Sequence, residues 1–150
     1  MLFELDLTGI KEPEILQRGV YAVQISNAEY DGSEGKNNIV VSIVFPDHPD
    51  AAVMRHWVAL PKVDDPVEKK RVKLLMTRRF MELFNVPFSA AGFSVQDFFG
   101  RTASCMVSVE ETQDGQGNST GRVVNRLNPP PIKSELPAGV IVSTSGRKKR

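Results

Sequence analysis

The chain has 150 residues, 41% of them hydrophobic, and 19 lysines and arginines against 18 acids give it a formal net charge of +1. That size suits one globular domain, able to bury roughly two-thirds of its unfolded surface. A single cysteine, Cys105, excludes an internal disulfide framework; Glu4 and Asp6 stand where a signal peptide would be basic; and no apolar run approaches the ~20 residues of a membrane span. The expectation is a cytoplasmic protein with no membrane partner.

A near-neutral total hides segregated charge. The closing "GRKKR" holds four of the basic residues, so residues 1–146 carry 15 basic and 18 acidic side chains. Within that acidic body, "EKKRVKLLMTRRFMEL" gathers Lys69, Lys70, Arg71, Lys73, Arg78 and Arg79 against Glu68 and Glu82. Such a cluster is either a second basic track for a polyanion or a solvated helix face offset by acids elsewhere.

In chain order, residues 1–17 read as an extension. "GVYAVQISNAEYDG" alternates Tyr21, Val23 and Ile25 against Ala22, Gln24 and Ser26, the mark of a half-buried strand. "DGSEGKNN" is a turn or loop. "NIVVSIVFP" sets Ile39, Val41, Ile43 and Phe45 on one face, and "FPDHPD" breaks the run. The third strand, "AVMRHWVALP", splits Val53, Arg55, Trp57 and Ala59 from Met54, His56, Val58 and Leu60. Asp64 and Asp65 can cap a helix with Pro66 at its first position, and Val67, Leu74, Leu75, Phe80, Leu83 and Phe84 are its expected buried stripe. "SVQDFFG" adds a short helical turn. Arg101 opens a fourth strand, "RTASCMVSVEE", with Ala103, Cys105, Val107 and Val109 inward. "TQDGQGNSTG" is a long hairpin loop and "RVVNRL" the fifth strand. "NPPPIKSELP" is an extended, polyproline-like segment, followed by a short strand at "GVIVS" and the basic tail 147–150. The expected fold is mainly β: a five-stranded β-β-β-α-β-β oligonucleotide/oligosaccharide-binding (OB) barrel over residues 18–127, with a Pro-rich arm and basic tail at 128–150.

Catalytic signatures are missing: there are two histidines, no zinc-type Cys/His spacing, no phosphate-cradling Gly-rich loop and no nucleophile elbow. The expectation is a protein without enzymatic activity, cofactor or metal; "DHPD" reads as a plain turn. Binding features are better represented. Single-stranded nucleic acid is held by aromatic faces and a basic groove, and Trp57 beside Arg55 offers both on one strand face. Tyr30 and Lys36 border the first loop, and Lys62 follows the third strand; Arg101, Arg122 and Arg126 lie on strands 4 and 5. For Trp57 the alternative is ordinary core packing, and for the arginines it is edge charge that discourages sheet association.

"RGVYAVQISNAEYDGSEGKNNIVVSIVF", "HWVALP", the Lys/Arg-rich helix, "DFFGRTASCMVSVEE" and "GRVVNRLNPPP" together resemble bacteriophage single-stranded-DNA-binding-like proteins over roughly residues 18–131. The shared features are a Gly-x-Tyr opening strand, a tryptophan on the third strand, a helix, and a Gly-Arg step into strand 4. The resemblance implies an OB fold, sequence-independent binding of single-stranded DNA (RNA as the alternative) in replication, recombination or repair, and a location in the host cytoplasm. It places Trp57, Arg55 and Tyr30 on the binding face. A homo-oligomer, by preference a dimer, and contacts with replication or recombination proteins are expected. "SGRKKR" departs from the acidic tip of many such proteins and sets recruitment by that route in doubt. The competing reading is a protein-interaction or virion-assembly module whose C-terminal arm donates a strand to a neighbour.

Overall fold

A computed structural model describes residues 1–128, so the arm, the "GVIVS" strand and the basic tail lie almost wholly outside the described residues. The described residues are mainly β, with one α-helix among them. Its longest strand, β1 (Gly19–Asp31), is the centre of a five-stranded antiparallel sheet. Residues Gly19–Gln24 pair with β4 (Thr102–Gln113), and Gln24–Asp31 pair with β2 (Asn38–Val44). β2 in turn pairs with β3 (Met54–Ala59), and β4 with β5 (Ser119–Leu127). The order is β3-β2-β1-β4-β5. Among the described residues no hydrogen-bonded ladder joins β3 to β5, yet these two edges lie close, with the Arg126 guanidinium 5.3 Å from the centre of the Trp57 ring.

One extra residue in β1 sets the curvature. Ile25 faces Ile43, but Asn27 already faces Ser42, leaving Ser26 as a bulge whose hydroxyl donates to the Ser42 carbonyl at 3.2 Å. A bulge bends its strand and shifts alternation by one. Val23 and Ile25 are buried before it and Ala28 after it, whereas unbroken alternation would have driven Asn27 and Glu29 inward. Facing them, Ile39, Val41, Ile43 and Phe45 are buried as alternation predicts, with Met54 and Val58 from β3. Cys105 and Val107 of β4 point inward too. Val109 does not: β1 ends its pairing at Gly19–Val107, so beyond that point β4 has only β5 beside it and Val109 is exposed.

The helix α1 (Val67–Leu83) forms where expected, but packs differently. Pro66 stands just outside it with ψ 155, and no side chain caps it. Asp65 instead accepts the Lys62 backbone N–H at 2.8 Å and the Lys73 ammonium at 2.7 Å. Thr77, Phe80, Met81 and Phe84 are buried, while Val67, Leu74 and Leu75 of the expected stripe face outward. The buried residues of α1 all lie in its C-terminal half, where Phe80 touches Phe84 and Phe98 with ring centres 4.9 and 5.9 Å away. Phe98 belongs to the expected short turn, a 3-10 helix at Val95–Phe98. Asn85, at φ 55, ends α1, and Val86 N–H returns to the Met81 carbonyl at 2.8 Å. The β4–β5 loop is tighter than expected: Asp114 accepts from the N–H groups of Gln116 and Asn118, so both strands extend toward it.

Part of the extension belongs to the fold. Glu14 pairs with the 50–52 segment through bonds of 2.9 Å to Asp50 and 2.8 Å from Ala52, just ahead of β3. Two residues on, Leu16 is buried and its backbone is clamped by the Asn125 side chain of β5, which accepts Leu16 N–H at 2.9 Å and donates to Leu16 C=O at 2.8 Å. A strap thus links the approach to β3 with β5. Asn125→Ala strands two backbone groups against a buried wall, each worth about 1–3 kcal/mol when unpaired. Denaturant unfolding should show a loss of about 2–3 kcal/mol; a loss below about 0.5 kcal/mol would mean the clamp is dispensable.

Candidate functional site

The register of β3 decides what faces water. Met54 and Val58 are buried and His56 is partly so, which turns Arg55, Trp57 and Ala59 to the outer surface; Trp57 is 47% exposed. Across the sheet Trp57 aligns with Val40 and Glu29, and Arg55 with Ser42 and Asn27. From the other edge, Arg126 reaches over the Trp57 ring and lies 4.0 Å from Glu110. Arg122 is exposed, but it lies in the irregular stretch of β5 between Ser119 and Val123, next to Gly121 at φ 78, where simple alternation does not assign its face. Trp57, Arg55 and Arg126 therefore share the outer surface where β3 and β5 approach. Glu29 and Asp31 lie on the β1 side of the same surface, so its charge runs from acidic at β1 to basic along β3 and β5.

Tyr30 is placed apart from this group. It pairs with buried Ile39 and so follows the core-side alternation, opposite to Trp57. Its hydroxyl donates to Asn37 Oδ1 at 2.5 Å, and its ring lies so close over Gly32 that a Cβ there would come within 2.5 Å. Asn37 also donates to the Pro61 carbonyl at 2.9 Å, and the Lys62 ammonium donates to the Gly35 carbonyl. Lys36 sits 3.8 Å from Asp31, whose carboxyl is held below its usual range mainly by hydrogen bonds from Ser33. Tyr30, through Asn37, and Lys62 thus tie the β1–β2 loop to the chain leaving β3, while Lys36 pairs within that loop. Arg101 is engaged elsewhere, its Nε donating to the Asp97 carbonyl at 2.8 Å and holding the 3-10 turn to the start of β4.

The basic helix lies on the other side of β3 from Trp57, because α1 packs on the inner face through His56. Lys69 and Lys73 pair with Asp65, Arg71 with Glu68 at 3.0 Å, and Arg78 with Glu82 at 3.2 Å. Arg78 also stands 6.0 Å from the Phe88 ring; Lys70 and Arg79 are half-buried. These charges form a cluster separate from the outer surface. His48 of "DHPD" packs edge-on against Tyr21 at 5.5 Å, and among the described residues no group of three or more His, Cys, Asp or Glu could hold a metal ion. Burial pushes the Cys105 thiol up to about 12.

Two residues escape a reading based on alternation alone. His56 stacks face to face on Phe80, ring centres 5.0 Å apart and planes 2° from parallel. Asn125 carried a usable signal: it stands between Val123 and Leu127 at two-residue spacing, where a buried amide demands partners. Neither the family models nor the curated proteins searched contain a match to this chain.

Burial, and next the Arg126 charge, lower the His56 pKa from 6.5 to about 4. The folded state therefore favours the neutral ring. Its contribution is complete above pH 6.5 and is lost as pH falls from there toward about 4, in total about 3 kcal/mol. His56→Phe, which keeps a ring on Phe80, should flatten stability across that window in pH-dependent denaturant melts. An unchanged acid profile would show that His56 titrates freely.

Proposed function

We propose that this chain is a non-catalytic, largely sequence-independent binder of single-stranded DNA, built on an OB barrel. The barrel reading is supported by the strand order β3-β2-β1-β4-β5, by β1 shared between two partners, by the helix between β3 and β4, and by the approach of β3 to β5. The resemblance to phage single-strand binders supports a role in replication, recombination or repair.

The observation that carries the functional reading is the exposed Trp57 ring, with the Arg126 guanidinium against it and Arg55 two residues along the same face. A core does not need its lone tryptophan half in water. An aromatic face of this kind stacks on any base, which makes recognition tolerant of sequence, and each stacked base contributes about 1–3 kcal/mol. Arginines beside the ring meet the phosphates on either side of that base. Glu29 and Asp31 repel phosphate, so the strand runs along β3 and β5 rather than across toward β1. Lys36, Lys62 and the α1 cluster lie off this path and supply at most the general field.

Titrating the full chain with a single-stranded oligonucleotide should quench the fluorescence of Trp57, and added salt should reverse the quenching. Trp57→Ala should weaken binding by about 1–3 kcal/mol with melting unchanged, as measured by anisotropy of labelled DNA. Arg126→Gln should lower the salt slope by about 0.7, the share of one phosphate contact. A folded Trp57→Ala that binds as tightly as wild type would remove this face from the site.

A further inference from the structure

Among the described residues, two apolar surfaces stand exposed, and they complement each other. In the segment 1–10, Phe3, Leu5, Leu7 and Ile10 are each at least 71% exposed, and Glu4 and Asp6 are its only charged side chains. On α1, Val67, Leu74 and Leu75 share one outward stripe at helical spacing, 73%, 59% and 40% exposed. Arg71 and Arg78 fall on that same stripe, and α1 as a whole bears six basic and two acidic side chains. One surface is apolar and acidic, the other apolar and basic. Soluble chains seldom leave contiguous apolar patches of this size open to water.

We propose that the segment 1–10 of one copy lies across the outward face of α1 in a second copy, and the reverse, forming a reciprocal dimer. Phe3, Leu5 and Leu7 cover Val67, Leu74 and Leu75, while Glu4 and Asp6 approach Arg71 and Arg78. Within a single chain, the strap at Glu14 and Leu16 anchors the segment beside β5 and the 50–52 turn, and its apolar side chains stay mostly exposed. Among the described residues each copy offers one such segment and one such face, so a two-fold exchange leaves neither unpaired. Arg71 and Arg78 already have helix partners, Glu68 and Glu82, but those are exposed pairs that exchange at little cost. The interface lies on the side of β3 away from Trp57, and it stands whether or not the chain binds nucleic acid.

Sedimentation equilibrium of the full chain over a micromolar range tests this directly. Wild type should be a dimer. Leu5→Asp and Leu74→Glu, both at exposed positions, should each raise the dimer dissociation constant about tenfold or more without altering the circular dichroism melt. As a second test, chains carrying Leu5→Cys mixed with chains carrying Leu75→Cys should give a covalent heterodimer on oxidation, with buried Cys105 as a silent background. A monomer throughout, a dimer indifferent to both substitutions, or a cross-link only within a doubly substituted chain would overturn the exchange.

Discussion

The bulge at Ser26 is the constraint on which the rest of this molecule turns. Because β1 pairs with β4 through its first half and with β2 through its second, a straight β1 would hold all five strands in one open plane. Edge strands four spacings apart in a flat sheet would stand roughly 19 Å from each other. The bulge bends β1 between its two partners and restores the inward alternation at Ala28, so one strand lines the core on both sides of the bend. Curling carries β3 toward β5. The neighbourhood of Trp57 and Arg126, two residues sixty-nine positions apart, is a product of that curl.

β3 shows how little sequence is needed to build two unlike surfaces. Its inward residues meet a packed aromatic group in which His56, kept neutral, acts as one more flat ring against Phe80. Its outward residues present a guanidinium and an indole to water. The helix braces the first surface without approaching the second, so substitutions on the outer face are separable from those that hold the domain together. The strap from Glu14 to Leu16 works at the same seam from outside the sheet, tying the approach to β3 to Asn125 of β5.

Much of the fold was legible because strands with one wet face must alternate. Ile39, Val41, Ile43 and Phe45 were read correctly on that ground alone, as were the helix and the short turn at Val95–Phe98. What failed has a common cause: local periodicity does not state how far a neighbour extends. Val109 has the right spacing for the core but lies past the end of β1. Leu74 and Leu75 are apolar on a helix whose buried residues begin only at Thr77. At the site, alternation put Trp57 and Arg55 on one face of β3 but left open which face is inward; the strand register turns them outward, and the close approach of Arg126 needed the curl, which no short window of sequence encodes. Tyr30 was grouped with Trp57, but the one-residue shift at Ser26 sends it to the opposite face.

The position of Arg126 over the indole has a consequence for any ligand of this surface. The ring is not vacant in the free chain; a cation already occupies its face and leans toward Glu110. An incoming anion without a flat group can draw Arg126 away but gains nothing from the uncovered ring. A flat neutral molecule must displace the arginine without offering it a new counter-charge. Only a ligand bearing both, closely linked, satisfies ring and guanidinium in one step. On the proposed reading a nucleotide strand is such a ligand, and its base and phosphate would each gain less from this surface apart than joined.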